Sequence, residues 1–496
     1  MTPRAGRREW IGLAVLILPI LIASMDVSVL FFAVPFIAQD LQPTATQQLW
    51  IFDVYGFVLA GLLMTMGALG DRIGRRRLLM IGAAMFGAAS LAAAYAPSAG
   101  ALIAARGVLG IGGATLMPST MALVRTMFTD SAQRAKAIGI WSGVMTGGVA
   151  LGSVMSGVLV QNFWWGSVFL VNLPAMGLLL VLGPLLLPES RNPSAGRFDL
   201  VSVPLSLAAV LPVVYGLKEI PSHGWRAEYV GALVAGLVFG ALFVRRQRRA
   251  EFPMIPPALL RRPGFRSAVA LNLVSSFGMM GSAIFTTQYL QSVLGMSALE
   301  AALWGLVPAV PIGFAVPLAA ALVQKGVDRA YVVTTGFALA AGGYLLLTQT
   351  GRHALWLLII ACAVLASGIV MVMSQMTDLA LGAAPAAQAG AASSLLETGA
   401  EFGGALGMAG LGAVGTAVYR HDLPVGTSGP ARETLAGALG VAQHLPGRAG
   451  DALVDTARAA FTSGLHAAAI AGVLVLLGAA VAAAATLRGI RVRPAD

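Results

Sequence analysis

The sequence predicts an all-α polytopic membrane protein, and three observations predict it. Of the 496 residues, 57% are hydrophobic and only 11% are charged, where soluble domains carry about 25% charge. Mean hydropathy is +0.82. Apolar runs close to the roughly 20 residues that cross a bilayer as a helix recur along the whole chain, more than a water-soluble core can bury.

In order, the runs place fourteen helices at about 11–36, 49–69, 78–96, 101–123, 136–159, 166–187, 200–217, 227–244, 266–290, 300–323, 330–348, 355–382, 389–418 and 465–487. The first follows Arg4, Arg7 and Arg8. It is too long for a leader, carries Asp26 and lacks a convincing cleavage site, so it reads as a retained helix. Six-helix blocks fall at 1–190 and 264–496. Between them, at 191–263, lie helices 7 and 8 and a basic linker within FVRRQRRAEFPMIPPALLRRPGFR (243–266). GDRIGRRR after helix 2 is faintly echoed by KGVDRA after helix 10, as internal repeats in transporters would allow. The long segment at about 420–464 contains TLAGALGVAQHLPG and DALVDTARAAFTSGL. Leu453, Val454, Ala457 and Phe461 fall at helical spacing there, so a helical hairpin on the outer face is expected.

The net charge of +11 reflects orientation. With both termini inside, only Lys218, Arg226, Arg352, Arg420, Arg432, Arg448 and Arg458 fall on outer segments. An excess of Lys and Arg on inner segments is what sets topology, and it leaves no case for nucleic-acid binding. The single cysteine, Cys362, excludes a disulfide framework.

A charge at the centre of a spanning helix costs about 2.5–3.5 kcal/mol and marks a functional candidate. Asp26 lies near the middle of helix 1. Asp53 lies near the outer end of helix 2, either as an interfacial carboxylate or as a functional one. Arg106 is the basic group within helix 4, either a structural partner for a carboxylate or part of proton coupling. Asp378 reads as a boundary residue at the inner end of helix 12.

In SSLLETGAEFGGALGMAGLG (393–412), Glu397 and Glu401 stand four residues apart and share a helix face. Gly399, Gly403 and Gly407 recur roughly on the opposite side, and small residues let neighbouring helices approach closely. The expectation is a helix packed by its glycines that turns its glutamates toward a cavity. Two carboxylates this close repel, and at least one is expected to load and release a proton near neutral pH. Asp26, Glu397 and Glu401, with Phe31, Phe32, Tyr55, Phe57, Met279 and Met280, are the candidate substrate contacts, although a packing or lipid-facing role serves each of the apolar side chains equally. Four acids against one base suit protons and organic cations.

No lysine follows a glycine, so a P-loop is absent, and neither HExxH nor GxSxG occurs. No catalytic or metal-binding set is expected, and no cofactor. The energy source that remains is an ion gradient.

GALGDRIGRRR (67–77), with Gly67, Asp71, Arg72, Gly74, Arg75, Arg76 and Arg77, resembles the signature loop between helices 2 and 3 of the major facilitator superfamily. Its charges suit inner-face salt bridges that form in one conformation and break in the other. DVSVLFFAVPFIAQDL, LWIFDVYGFVLAG, RGVLGIGGATLMPS, WWGSVFLVNLPAMG and YLQSVLGMSALEAAL are similar to the fourteen-helix drug:proton antiporter branch, the QacA-, SmvA- and LfrA-like multidrug exporters. The resemblance implies two six-helix bundles plus two inserted helices, and no enzyme activity. It also implies that Asp26, Asp53, Glu397 and Glu401 match acids used for protons or cationic drugs, and that Arg106 matches an arginine tied to proton transfer.

The fifth-helix antiporter motif departs from the branch. It reads GGVALGSVMSG (147–157), keeping Gly148, Gly152 and Gly157 but placing Ser153 at the usual proline and Ser156 at a glycine. That puts the helix bend, and any link to export direction, in question. Helix 10 lacks the acid some relatives carry between Trp304 and Val323, which weakens any claim to divalent drugs. The expected protein is a monomeric drug:proton exporter in the plasma membrane, with hydrophobic cations, protons and lipids as partners. The alternatives are an exporter dedicated to one antibiotic or metabolite, and a scaffold or sensor that no longer transports.

Overall fold

The computed structural model describes residues 5–191, 201–223, 226–249, 259, 261–351, 354–383, 389–424, 427, 429–445 and 448–488. The part of the basic linker from 250 to 258 lies outside them. Among the described residues the regular structure is helical throughout. Lipid offers no partner to a bare N–H or C=O, so a chain this apolar satisfies its backbone within each helix.

The long helices are α1 Arg7–Leu41, α2 Ala45–Ile73, α3 Arg75–Ala94, α4 Ala99–Met127, α5 Ser131–Asn162 and α6 Ser167–Leu186. They continue with α7 Ser202–His223, α8 Ala227–Arg249, α9 Pro263–Val293, α10 Ala298–Gln324, α11 Arg329–Leu347, α12 Leu355–Ala383, α13 Ala389–Asp422 and α14 Arg448–Leu487. Twelve helical stretches among the described residues are long and apolar enough to cross a membrane, and α2 and α7 are not in that set. Large apolar side chains such as Val181, Leu237, Val310 and Phe314 stand more than half exposed on helix flanks. Such surface suits lipid and not water.

Helix starts follow the expected chemistry. Ser98 and Asp130 accept from backbone N–H groups three residues on, and Asp328 from one two residues on, filling orphan donors. α2 and α3 are separated by Gly74 alone, at φ 111°.

Contacts divide the chain into two compact units. The first holds Met1–Leu41, Trp50–Pro204 and Ser297–Ala302; the second holds Gln42–Leu49, Leu205–Met296 and Leu303–Asp496. In the first, α1 packs on α5, and α3 packs on α4 and α6, around Leu16, Ile20, Phe86, Phe128 and Phe169. In the second, α9 packs on α13, and α11 packs on α12 and α14. Here glycine meets glycine: a Cβ at Gly368 would stand 2.3 Å from the Gly336 carbonyl oxygen. Tyr344 is buried and donates to the Gly278 carbonyl at 2.6 Å.

One expectation needs correcting. The helical stretches expected between 420 and 464 are Leu435–Ala442 and the opening turns of α14, but the second is continuous with the last membrane helix. Asp451, Asp455 and Arg458 therefore ride on the helix that carries the apolar run after Leu465. No Gly-Pro break separates the two patterns, and the helix propagates through both.

Candidate functional site

The first unit seals an acid–base pair. Arg106 on α4 is 1% exposed and Asp26 on α1 is 3% exposed, and they form a direct charge-assisted hydrogen bond. The Arg106 Nε also donates to the Ile51 carbonyl of α2 at 3.1 Å. Its guanidinium lies 4.7 Å from the centroid of the Tyr55 ring, a cation–π contact. Three helices thus converge on one cation. The glycines of RGVLGIGG permit it: a Cβ at Gly110 would stand 2.7 Å from the Tyr55 carbonyl oxygen, and one at Gly113 would stand 2.9 Å from the Tyr55 hydroxyl. Asp53, one turn before Phe57 on α2, is 1% exposed, so it does not reach bulk water as an interfacial carboxylate would.

Of the expected aromatic contacts, Phe32, Tyr55 and Phe57 are buried and Phe31 is half-buried. Phe31 stacks near Phe52, with centroids 5.1 Å apart.

The fifth-helix motif supports the helix that bears Asp26. A Cβ at Gly148 would stand 2.8 Å from Ser24 Cβ, and one at Gly152 would stand 2.7 Å from Met25 Cα. Two hydroxyls tie the seam: Ser28 donates to the Val149 carbonyl and Ser156 to the Val29 carbonyl, each at 2.7 Å. The serine in place of a glycine is therefore fully buried yet hydrogen-bonded. Ser153 donates to the Val149 carbonyl of its own helix at 3.1 Å, and α5 runs through this position unbroken. At Gly157 a Cβ would stand 2.7 Å from Leu299 Cα.

The signature loop finds its partners after α6. Arg76 faces Glu189 at 3.8 Å; its backbone N–H donates to the same carboxylate at 3.1 Å. Its guanidinium donates to the Leu187 and Pro184 carbonyls at 2.9 and 3.2 Å, where the helix dipole favours a cation. The Arg75 N–H donates to the Ser190 carbonyl at 2.9 Å. A Cβ at Gly74 would stand 2.4 Å from a Glu189 carboxylate oxygen. Gly67 is half-buried and Arg72 exposed; the Asp71 side chain lies outside the described part. Gly74→Ala is expected to lower stability by about 1–3 kcal/mol through its backbone angle alone, whereas Glu189→Gln, at a half-exposed pair, is expected to cost under about 1 kcal/mol. Thermal unfolding of the two variants in detergent checks that order.

In the second unit the glycine stripe of α13 does face a neighbour. Cβ atoms at Gly403 and Gly407 would stand 2.1 Å from the Leu273 and Phe277 carbonyl oxygens of α9, and one at Gly399 would stand 3.4 Å from Val269. Glu397 and Glu401 are half-buried, about 200° around the helix from those glycines. Glu397 makes no hydrogen bond or ion pair among the described residues. Gly404 shares their face, and a Cβ there would stand 2.9 Å from Met280 Cγ. Met279 and Met280 are half-buried.

Three residues escaped the sequence reading. Glu189 was signalled only as an acid closing α6 in a basic inner segment. Asn272 on α9 and Gln375 on α12 are buried polar side chains whose Oδ1 and Oε1 have no hydrogen-bond partner among the described residues. Each is a lone amide in an apolar run, and that pattern is their signal.

Long apolar helices, glycine-packed seams and a sealed Asp–Arg pair define a multi-pass helical membrane protein. The sequence model of the Major Facilitator Superfamily matches residues 16–408, and the chain belongs to that family. It is 45% identical over 496 residues to "Multidrug efflux pump LfrA" of Mycolicibacterium smegmatis, covering 98% of each chain. It is 33% identical to "Methyl viologen resistance protein SmvA" of Salmonella typhimurium over 92% of this chain and 93% of that one. It is 31% identical to "Tetracenomycin C resistance and export protein" of Streptomyces glaucescens over 97% and 93%. Among solved structures, a bacterial homologue of the human lysosomal transporter Spinster superposes with a TM-score of 0.71 at 18% identity, covering 99% of this chain and all of that one. That likeness concerns the fold.

Proposed function

We propose that the chain is a proton-coupled exporter of hydrophobic cations, quaternary ammonium compounds and dyes among them, working by alternating access. One observation carries the reading: a chain 45% identical across its length to a multidrug efflux pump holds a sealed carboxylate–guanidinium pair within its apolar helices. In this reading it crosses the plasma membrane fourteen times as a monomer, with both termini in the cytoplasm.

A proton and Arg106 compete for Asp26. When the proton wins, the guanidinium keeps the Ile51 carbonyl and the Tyr55 ring, and the contact joining α1 to α4 is released. When the proton leaves, the contact reforms. Glu397 and Glu401 accept the cationic drug or a proton, not both, so loading one expels the other. Each proton that crosses supplies about 2.3 kcal/mol per 100 mV.

The test is purified protein in liposomes with an imposed pH gradient and ethidium as the reporter. Gradient-driven dye movement is expected, and its absence for ethidium and quaternary ammonium ions alike would overturn the reading. Glu397→Gln and Glu401→Gln are each expected to lower efflux and flatten its pH profile. Profiles matching the unaltered protein in both would reassign the pair to packing. The likeness to the tetracenomycin C export protein favours a second reading, an exporter of one antibiotic. Protection of a pump-deficient host against a single compound class would select it.

A further inference from the structure

The basic end of α8 borders a groove that the transport reading leaves unused. Its volume is about 820 Å³, within the range of small-molecule sites. Its floor is the crossing of α7 and α8, tight at Gly236, where a Cβ would stand 2.8 Å from the Val213 amide nitrogen. Leu237, Gly240 and Val244 line one wall, and Phe402 of α13 contributes another side.

Arg245, Arg248 and Arg249 line one end of the groove. Their i, i+3, i+4 spacing puts them on one helix face. All three are exposed, while Gln247 between them is buried. They make no ion pair or hydrogen bond among the described residues. Guanidinium groups match phosphate with paired hydrogen bonds. A hydrophobic drug cation seated here would face three like charges, so the polarity of the site selects an anion with an apolar tail.

We infer that this groove is a binding site for an anionic phospholipid, its phosphate held by Arg245, Arg248 and Arg249 and one acyl chain laid along Leu237 and Val244 toward Phe402. The lipid then touches α13 one residue from Glu401, on the helix that carries both glutamates. The inference requires only that the chain lie in a bilayer, so it stands apart from drug export.

Native mass spectrometry of the purified protein titrated with dioleoylphosphatidylglycerol or dioleoylphosphatidylcholine tests it. Retention of phosphatidylglycerol over phosphatidylcholine is expected. The triple variant Arg245→Gln, Arg248→Gln, Arg249→Gln should lower phosphatidylglycerol affinity roughly a hundredfold and leave phosphatidylcholine unaffected. Ala241→Trp, which fills the groove and spares the arginines, should also lower it, and it carries the test where the triple variant fails to assemble. Equal retention of the two lipids, or phosphatidylglycerol binding that an assembled triple variant or Ala241→Trp leaves unchanged, overturns the site.

Discussion

Asp26→Asn is expected to abolish proton-driven efflux and to destabilise the protein at the same time. The carboxylate and Arg106 are each nearly inaccessible. Removing one partner strands the other charge in a medium that solvates it poorly, at a cost of about 3–5 kcal/mol. The Ile51 carbonyl and the Tyr55 ring offset only part of it. The double variant Asp26→Asn, Arg106→Gln removes both charges and should regain most of the lost thermal stability. It should remain inactive, because no group is left at which proton and guanidinium compete. Thermal unfolding and dye efflux of the wild type, both single variants and the double variant form a cycle that separates folding from coupling. A single Asp26→Asn variant with wild-type gradient-driven efflux would remove this pair from the mechanism.

Gly407→Val should prevent assembly of the second unit. The added Cβ would lie 2.1 Å from the Phe277 carbonyl oxygen and 2.7 Å from its carbon. These are backbone atoms inside α9, with no rotamer to turn away. Relief requires the two helices to separate by about an ångström along their seam, and close-packed interiors do not absorb such shifts locally. The expected result is aggregated protein on size exclusion in detergent. Gly410 supplies the control. It lies three residues on, is exposed, and a Cβ there would meet only the Phe277 ring at 3.5 Å. Gly410→Ala should purify as the unaltered protein does. A monodisperse Gly407→Val variant with an unchanged unfolding temperature would show that α9 and α13 have slack here.

What was legible in the sequence followed from periodicity within one helix. Glu397 and Glu401 share a face, and Gly399, Gly403 and Gly407 lie on another, because 3.6 residues per turn places them so. The structure adds only that α9 is the neighbour the glycines meet. The loop at 67–77 was legible as charged and glycine-bearing, but its partner was not. Nothing in residues 67–77 points to Glu189, more than a hundred positions away, since the pairing exists only once α6 lies beside α3. Ser156 looked like a flaw in a glycine motif. Its value as a donor to Val29 depends on how α1 lies against α5.

The sequence by itself determined that this chain lies in a membrane as a series of helices, which helix faces are small or charged, and which acids stand where lipid would otherwise exclude them. Only the tertiary structure decided that Arg106 belongs to Asp26, that α2 contributes a carbonyl and a ring to the same cation, and that the last helix begins before its apolar run. The reason is one of range. Hydropathy and helical period act over a few residues and are written in the chain, whereas the partner of a buried charge is chosen by packing between helices whose residues here lie 80 positions apart.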